Sequence, residues 1–204
     1  MNKYEHLADY VFKCLNRRLI KQKVEHSKLQ FIGKGRTAYV YRIADTSFAL
    51  KVYISKHSDL AKEEGEIYQI LEGISYYPTV HEVGSNYIVM DYIKGLTLYD
   101  CLTNGIKVTE TSIKEVDQAI LLASERGLNP SDIHLRNIIL NADHHISLID
   151  LARFRQEKKC RQWSDLKRAF YKLYCKPFFP SQMNSFILNL IRILYKRRFL
   201  KIFF

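Results

Sequence analysis

Asp132, Asn137 and Asp150 are the residues of this 204-residue chain whose types and spacing point most directly to chemistry. Asp132 stands five residues before Asn137, and the apolar run Ile138 to Leu140 follows the Asn. A polar turn, Asn141 to His145, leads into a second apolar run that ends at Asp150. Two short strands joined by a turn place Asn137 and Asp150 close together at one end of a hairpin. A carboxylate and an amide oxygen so placed can hold Mg²⁺, which takes oxygen ligands and keeps several waters plus substrate phosphates. Asp132 then lies on the loop before the hairpin, free to face a hydroxyl. This set suits phosphoryl transfer.

A second group of residues lies upstream. Leu29 to Ile32 reads as a strand, Gly33-Lys-Gly35-Arg-Thr-Ala38-Tyr-Val40 follows, and a strand runs on through Ile43. Two glycines between strands let the backbone approach phosphates and aim its N–H groups at them. Asp45-Thr-Ser makes a turn, and Phe48-Ala49-Leu50-Lys51-Val52-Tyr53 is the next strand. Lys51 alternates with apolar neighbours, and an inward-facing Lys needs an anionic partner. Asp59 to Leu71 has a helical pattern and carries Glu63, Glu64 and Glu66. Glu64 shares the face of Ile67 and is the first candidate to meet Lys51, with Glu66 in reserve; the other glutamates form a solvated acidic face.

Taken in order, these features resemble the protein-kinase-like superfamily. The matching features run from residue 28 to 166: glycine loop, Lys51, helix Glu, hinge strand, Asp132-x4-Asn137 and Asp150. The resemblance implies that Gly33, Gly35, Ala38 and Val40 cover the phosphates of ATP. It further implies that Ala49 and Met90 flank the adenine, and that the backbone of Asp91 and Ile93 hydrogen-bonds the base. Lys51, paired with Glu64, would grip the α/β-phosphates, Asn137 and Asp150 would bind Mg²⁺, and Asp132 would be the catalytic base. Ala38 replaces the third glycine of the kinase loop, and Pro130-Ser131 stand where His-Arg precede the catalytic Asp. Ala152 replaces the Gly of Asp-Phe-Gly, and only 12 residues separate it from Asp165, with no Ala-Pro-Glu motif. A long activation loop does not fit there. The Asp-Ile-His-Leu-Arg-Asn wording is closer to small bacterial, RIO-like and lipopolysaccharide- or aminoglycoside-type kinases. His134 either reaches the transferred phosphate or packs the loop through a backbone hydrogen bond. His144 and His145 are expected in solvent.

The elements that position these residues give an α+β chain, with strands first and helices after, in two lobes with the site in the cleft. Residues 1–27 are expected as a helical extension, because Leu7, Tyr10, Val11, Cys14, Leu15 and Leu19 keep helical spacing. Residues 28–93 form an N-lobe with a five-stranded antiparallel sheet and one helix. Residues 94–204 form a reduced, mostly helical C-lobe: a short helix Leu96 to Thr103, a longer one Glu110 to Arg126 closed by Gly127, and a helical tail from Ser181.

Composition, 47% hydrophobic and 26% charged, is that of a globular protein. The 4 cysteines form no CxxC pair and read as reduced thiols of a cytoplasmic protein. The opening residues do not read as a signal peptide, and no apolar run is long enough to span a bilayer. The net charge of +11 is unevenly placed. Residues 153–204 hold 14 of the 32 Lys/Arg and only Glu157 and Asp165 among the 21 acids. This tail is expected either to close the C-lobe, apolar side inward, or to dock peripherally on acidic lipid or nucleic acid. The leading functional expectation is an atypical serine/threonine kinase acting on a protein hydroxyl. A small-molecule, sugar or lipid kinase, and a pseudokinase scaffold, are the alternatives.

Overall fold

The computed structural model describes residues 2–16 and 26–196. Leu19 and the tail beyond Lys196, both expected to be helical, lie outside the described residues. The chain forms two compact units, Met1–Ile93 with Asp150–Ala152, and Lys94–Ile149 with Arg153–Phe204.

In the first unit, β1 (Leu29–Lys34), β2 (Ala38–Ile43), β3 (Phe48–Tyr53), β4 (Val80–Val83) and β5 (Tyr87–Asp91) make one antiparallel sheet in the order β1-β2-β3-β5-β4. The turn after β2 has Asp45 at φ 58°, and the Thr46 hydroxyl both donates to the Ile43 carbonyl and accepts from Phe48 N–H. Alternation along β3 sorts its side chains between two faces. Leu50 and Val52 join Tyr41, Ile43 and Val89 in a core that Leu7, Val11 and Leu15 of α1 (Lys3–Asn16) complete. Ala49, Lys51 and Tyr53 fall on the opposite face. Helix α2 (Asp59–Ile70) buries Ala61, Glu64, Ile67 and Tyr68.

The second unit holds a small antiparallel sheet, β6 (Leu96–Thr97), β7 (Ile138–Leu140) and β8 (Ile146–Leu148), in that order. Helices α3 (Leu98–Thr103), α4 (Glu110–Glu125), α5 (Gln162–Ala169) and α6 (Ser185–Lys196) accompany it, and α5 runs on into a π-helical turn, Phe170–Tyr174. Sequence pattern assigns Leu96 and Thr97 to helix; instead they pair with Leu140 and Ile139. Gly95 permits this, since a Cβ there would lie 2.4 Å from the Leu140 carbonyl oxygen. Thr97 then caps α3 by accepting the Asp100 N–H. Helix α4 ends at Gly127, φ +80°, with the Leu128 N–H returning to the Ala123 carbonyl.

Of the two arrangements expected for the tail, helix α6 does not show the one with its apolar side packed inward. Phe186, Ile187, Leu190, Ile191 and Ile193 are all exposed. Polar groups hold it to the unit instead: Asn189 Nδ2 reaches the Tyr99 hydroxyl at 3.4 Å, and the Tyr195 hydroxyl donates to Asp165 at 2.8 Å. Local periodicity gives a helix an apolar face but cannot say which way that face turns.

Candidate active site

Lys51 sits at the centre of the first unit's polar cluster. Its Nζ lies 2.7 Å from Glu64 Oε2 and 2.8 Å from Asp150 Oδ1. Glu64 is wholly buried, whereas the Asp150 side chain is 48% exposed. Of the three glutamates on α2, Glu64 is the one that meets Lys51; Glu63 is exposed and Glu66 half-buried. The Glu64 carboxylate is further satisfied by the Tyr53 hydroxyl and by the Leu151 N–H at 3.0 Å. These bonds draw Asp150–Ala152 into the first unit.

Burial works against the charge on Lys51, but the Glu64 and Asp150 carboxylates outweigh it and raise the pKa above the usual lysine value. The ammonium is therefore charged at every physiological pH. Burial, followed by the nearby Glu64 charge, pushes the hydroxyls of Tyr53 and Tyr68 well above the ordinary tyrosine range. Both are neutral phenols. The carboxylates leave a cation with one fully buried counter-ion and one that reaches solvent.

The remaining nucleotide candidates in this unit are placed as follows. Gly33 pairs with Val40 across β1 and β2, and the Gly35 N–H donates to the Ala38 carbonyl at 2.8 Å. That N–H is bonded inside the hairpin. Ala38, Ala49 and Met90 are buried, and Val40 is half-buried. Ala49 and Met90 are register partners on adjacent strands. The Asp91 N–H donates to the Thr79 carbonyl, so the backbone group Asp91 can offer a base is its carbonyl. Its side chain holds His81 Nε2 at 2.7 Å, and although burial opposes it, this bond and that of Thr79 lower the Asp91 pKa. Ile93 ends the unit, half-buried.

In the second unit, the loop Asn129 to Asn137 is braced from within. The Asn129 N–H donates to the Phe154 carbonyl at 2.7 Å, and its Nδ2 donates to the Gln156 carbonyl at 2.6 Å. Buried Ser131 closes onto the Asn129 carbonyl. Asn137, also buried, donates its Nδ2 to the Asp132 carbonyl at 3.1 Å, and its own carbonyl accepts the Ile149 N–H. That bond ties the loop to the end of β8, directly before Asp150. His134 Nδ1 accepts the Arg136 N–H at 3.3 Å. His145, expected in solvent, is largely exposed but has its Nδ1 2.9 Å from Glu115.

Asp132 takes φ 61° and Asp150 φ 62°, left-handed conformations that Asp tolerates better than most side chains. The Asp132 carboxylate carries a contact that sequence reasoning missed, Arg153 Nε at 3.4 Å from Oδ2. Tyr53 was missed too, though a signal existed: two residues after Lys51 on one strand, it had to share the lysine's face. Arg153 left no comparable signal.

The donors assigned to Mg²⁺ are a carboxylate and an amide whose Nδ2 is already bonded, leaving its oxygen for the ion. That all-oxygen set fits the ion's chemistry.

No protein-family model matches the chain. Among curated proteins, it is 44% identical over 199 residues to a Bacillus subtilis (strain 168) protein named "Putative serine/threonine-protein kinase YrzF". The match covers 97% of this chain and 93% of that protein. It is also 26% identical over 171 residues to "NUAK family SNF1-like kinase 2" of Rattus norvegicus, covering 71% of this chain and 27% of that longer protein.

Proposed function

The chain belongs to the protein-kinase-like superfamily, and on that premise we propose that it transfers the γ-phosphoryl group of ATP to a serine or threonine hydroxyl. The observation that carries this reading is Lys51, a buried cation held between Glu64 and Asp150. A buried, permanently charged lysine with one solvent-reaching counter-ion is suited to exchanging that counter-ion for phosphate oxygens. Glu64, fixed by Tyr53 and the Leu151 N–H, keeps the ammonium from moving when the exchange occurs.

Asp132 orients the acceptor hydroxyl and takes its proton as the oxygen bonds to the γ-phosphorus. The bond from that phosphorus to the β-phosphate oxygen breaks, and ADP leaves. Asn137 and Asp150 are the residues we assign to Mg²⁺, which when bound neutralises charge on the β- and γ-phosphates. Met90 and Ala49 flank the base, and Asp91 offers its carbonyl to it. His134 we assign to packing the loop, because its Nδ1 accepts the Arg136 N–H. Catalysis rests on positioning and charge stabilisation.

The test is transfer of label from γ-labelled ATP, with Mg²⁺, into a cell lysate and into the protein itself. Wild type should label protein bands, and Asp132→Ala should lower that labelling by about 10²–10⁴-fold. Undiminished transfer by the variant would remove Asp132 from the reaction. Label that appears only in the small-molecule fraction would move the acceptor from protein to metabolite.

A further inference from the structure

We propose that α6 is an interfacial helix that docks the protein on an anionic lipid bilayer. Phe186, Leu190 and Ile193, spaced i, i+4 and i+7, form one stripe, and Ile187 and Ile191 flank it. All five are exposed, Phe186 to 73%. Tyr195, on the side away from the stripe, bonds Asp165, and Asn189, at the edge of the stripe, reaches Tyr99. The exposure of the five apolar side chains shows that this face is turned outward. Contiguous apolar surface of this kind marks an interaction site in a soluble protein.

Charge selects the occupant. No Asp or Glu follows Asp165, while Lys172, Lys176 and Arg192 are exposed, as is Phe178. A second copy of the chain would bring its own exposed bases against these, like charge to like charge. Nucleic acid would offer phosphates but nothing to cover the apolar stripe. An anionic bilayer matches both, because its headgroups meet the bases and its acyl boundary takes the apolar face. At 12 residues, about 18 Å long, α6 can lie in that interface but not cross it. Among the described residues no helix is long and apolar enough to cross a membrane.

The experiment is co-sedimentation of the full chain with phosphatidylcholine vesicles, with and without phosphatidylglycerol. Wild type should pellet with the anionic vesicles only, and high salt should release it. Phe186→Ser/Leu190→Ser/Ile193→Ser should abolish pelleting at an unchanged thermal midpoint, because none of the three is buried. Lys172→Glu/Lys176→Glu/Arg192→Glu should weaken it by about two orders of magnitude. A Phe186→Trp protein should show blue-shifted emission with anionic vesicles and none with neutral ones.

Five results overturn the proposal. Wild type stays in the supernatant, or the apolar variant pellets as wild type does. The apolar variant converts a dimer to a monomer, assigning the face to a second copy. It unfolds while Phe186→Trp emission ignores the vesicles, which makes the face structural. Binding to RNA that survives the apolar substitutions, without vesicle binding, would move the partner to nucleic acid.

Discussion

Lys51 is a charge held in the interior by two carboxylates, and its removal isolates Glu64. Glu64 is fully buried, so Lys51→Met leaves a carboxylate whose donors among the described residues are the Tyr53 hydroxyl and the Leu151 N–H. Breaking a buried pair on one side costs about 3–5 kcal/mol. Chemical denaturation of Lys51→Met should show a loss of that size, and Lys51→Met/Glu64→Leu should recover part of it. The pH dependence has a definite sign. The folded pKa of Lys51 is raised above its ordinary 10.5, so its stabilising charge is complete below that value and is lost only as pH rises beyond it. Melting midpoints of wild type and Lys51→Met should therefore differ by a constant amount from pH 7 to about pH 9.5. A difference that shrinks across that window would mean the lysine titrates within it. Two of the non-glycine residues at positive φ, Asp132 and Asp150, are also candidates for chemistry. Strained backbone of this kind gathers at functional sites.

At the scale of elements, the β6–β7–β8 sheet depends on one close approach. A Cβ on Gly95 would stand 2.4 Å from the Leu140 oxygen and 2.7 Å from Ile139 Cγ2. Neither can yield without moving β7, the strand that follows directly after Asn137. Gly95→Ala should cost about 1–3 kcal/mol by overpacking. It should also lower phosphoryl transfer, because the displaced strand carries Asn137 with it. Denaturant midpoints and the labelling assay, read on the same protein, check both effects. Unaltered stability would mean that β6 can separate from β7 freely.

Over the whole molecule, nucleotide binding is the property that the proposed roles share. Mg²⁺-ATP at about 100 times its Kd should stabilise the folded protein by about 2.7 kcal/mol. Thermal unfolding with and without ligand reads this directly. Asp132→Ala should keep the shift, since the role proposed for Asp132 is toward the acceptor, whereas Asp150→Asn should lose its Mg²⁺-dependent part. No shift in wild type at millimolar Mg²⁺-ATP would overturn the nucleotide assignment, leaving the lipid-docking proposal untouched. The charge distribution is a whole-chain property as well. Residues 1–152 hold 18 Lys/Arg against 19 Asp/Glu, so the basic excess belongs to the last quarter of the chain.

What the sequence determined was whatever depends on local period and spacing. Alternation in β3 put Lys51 opposite the α1-packed core, and the strand–turn–strand pattern after Asn137 closed as β7 and β8. Helix phase separated Glu64 from Glu63 without any tertiary information, because i and i+3 share a face. The five-stranded antiparallel sheet was legible for the same reason. Only the tertiary structure decided which distant groups met. Arg153 beside Asp132, Leu151 N–H on Glu64 and Leu96 paired with Leu140 each join residues at least twenty-one apart. The outward turn of α6 is of the same kind. A hydrophobic pattern says that a face exists, whereas its burial depends on whether the rest of the chain leaves a surface for it to cover.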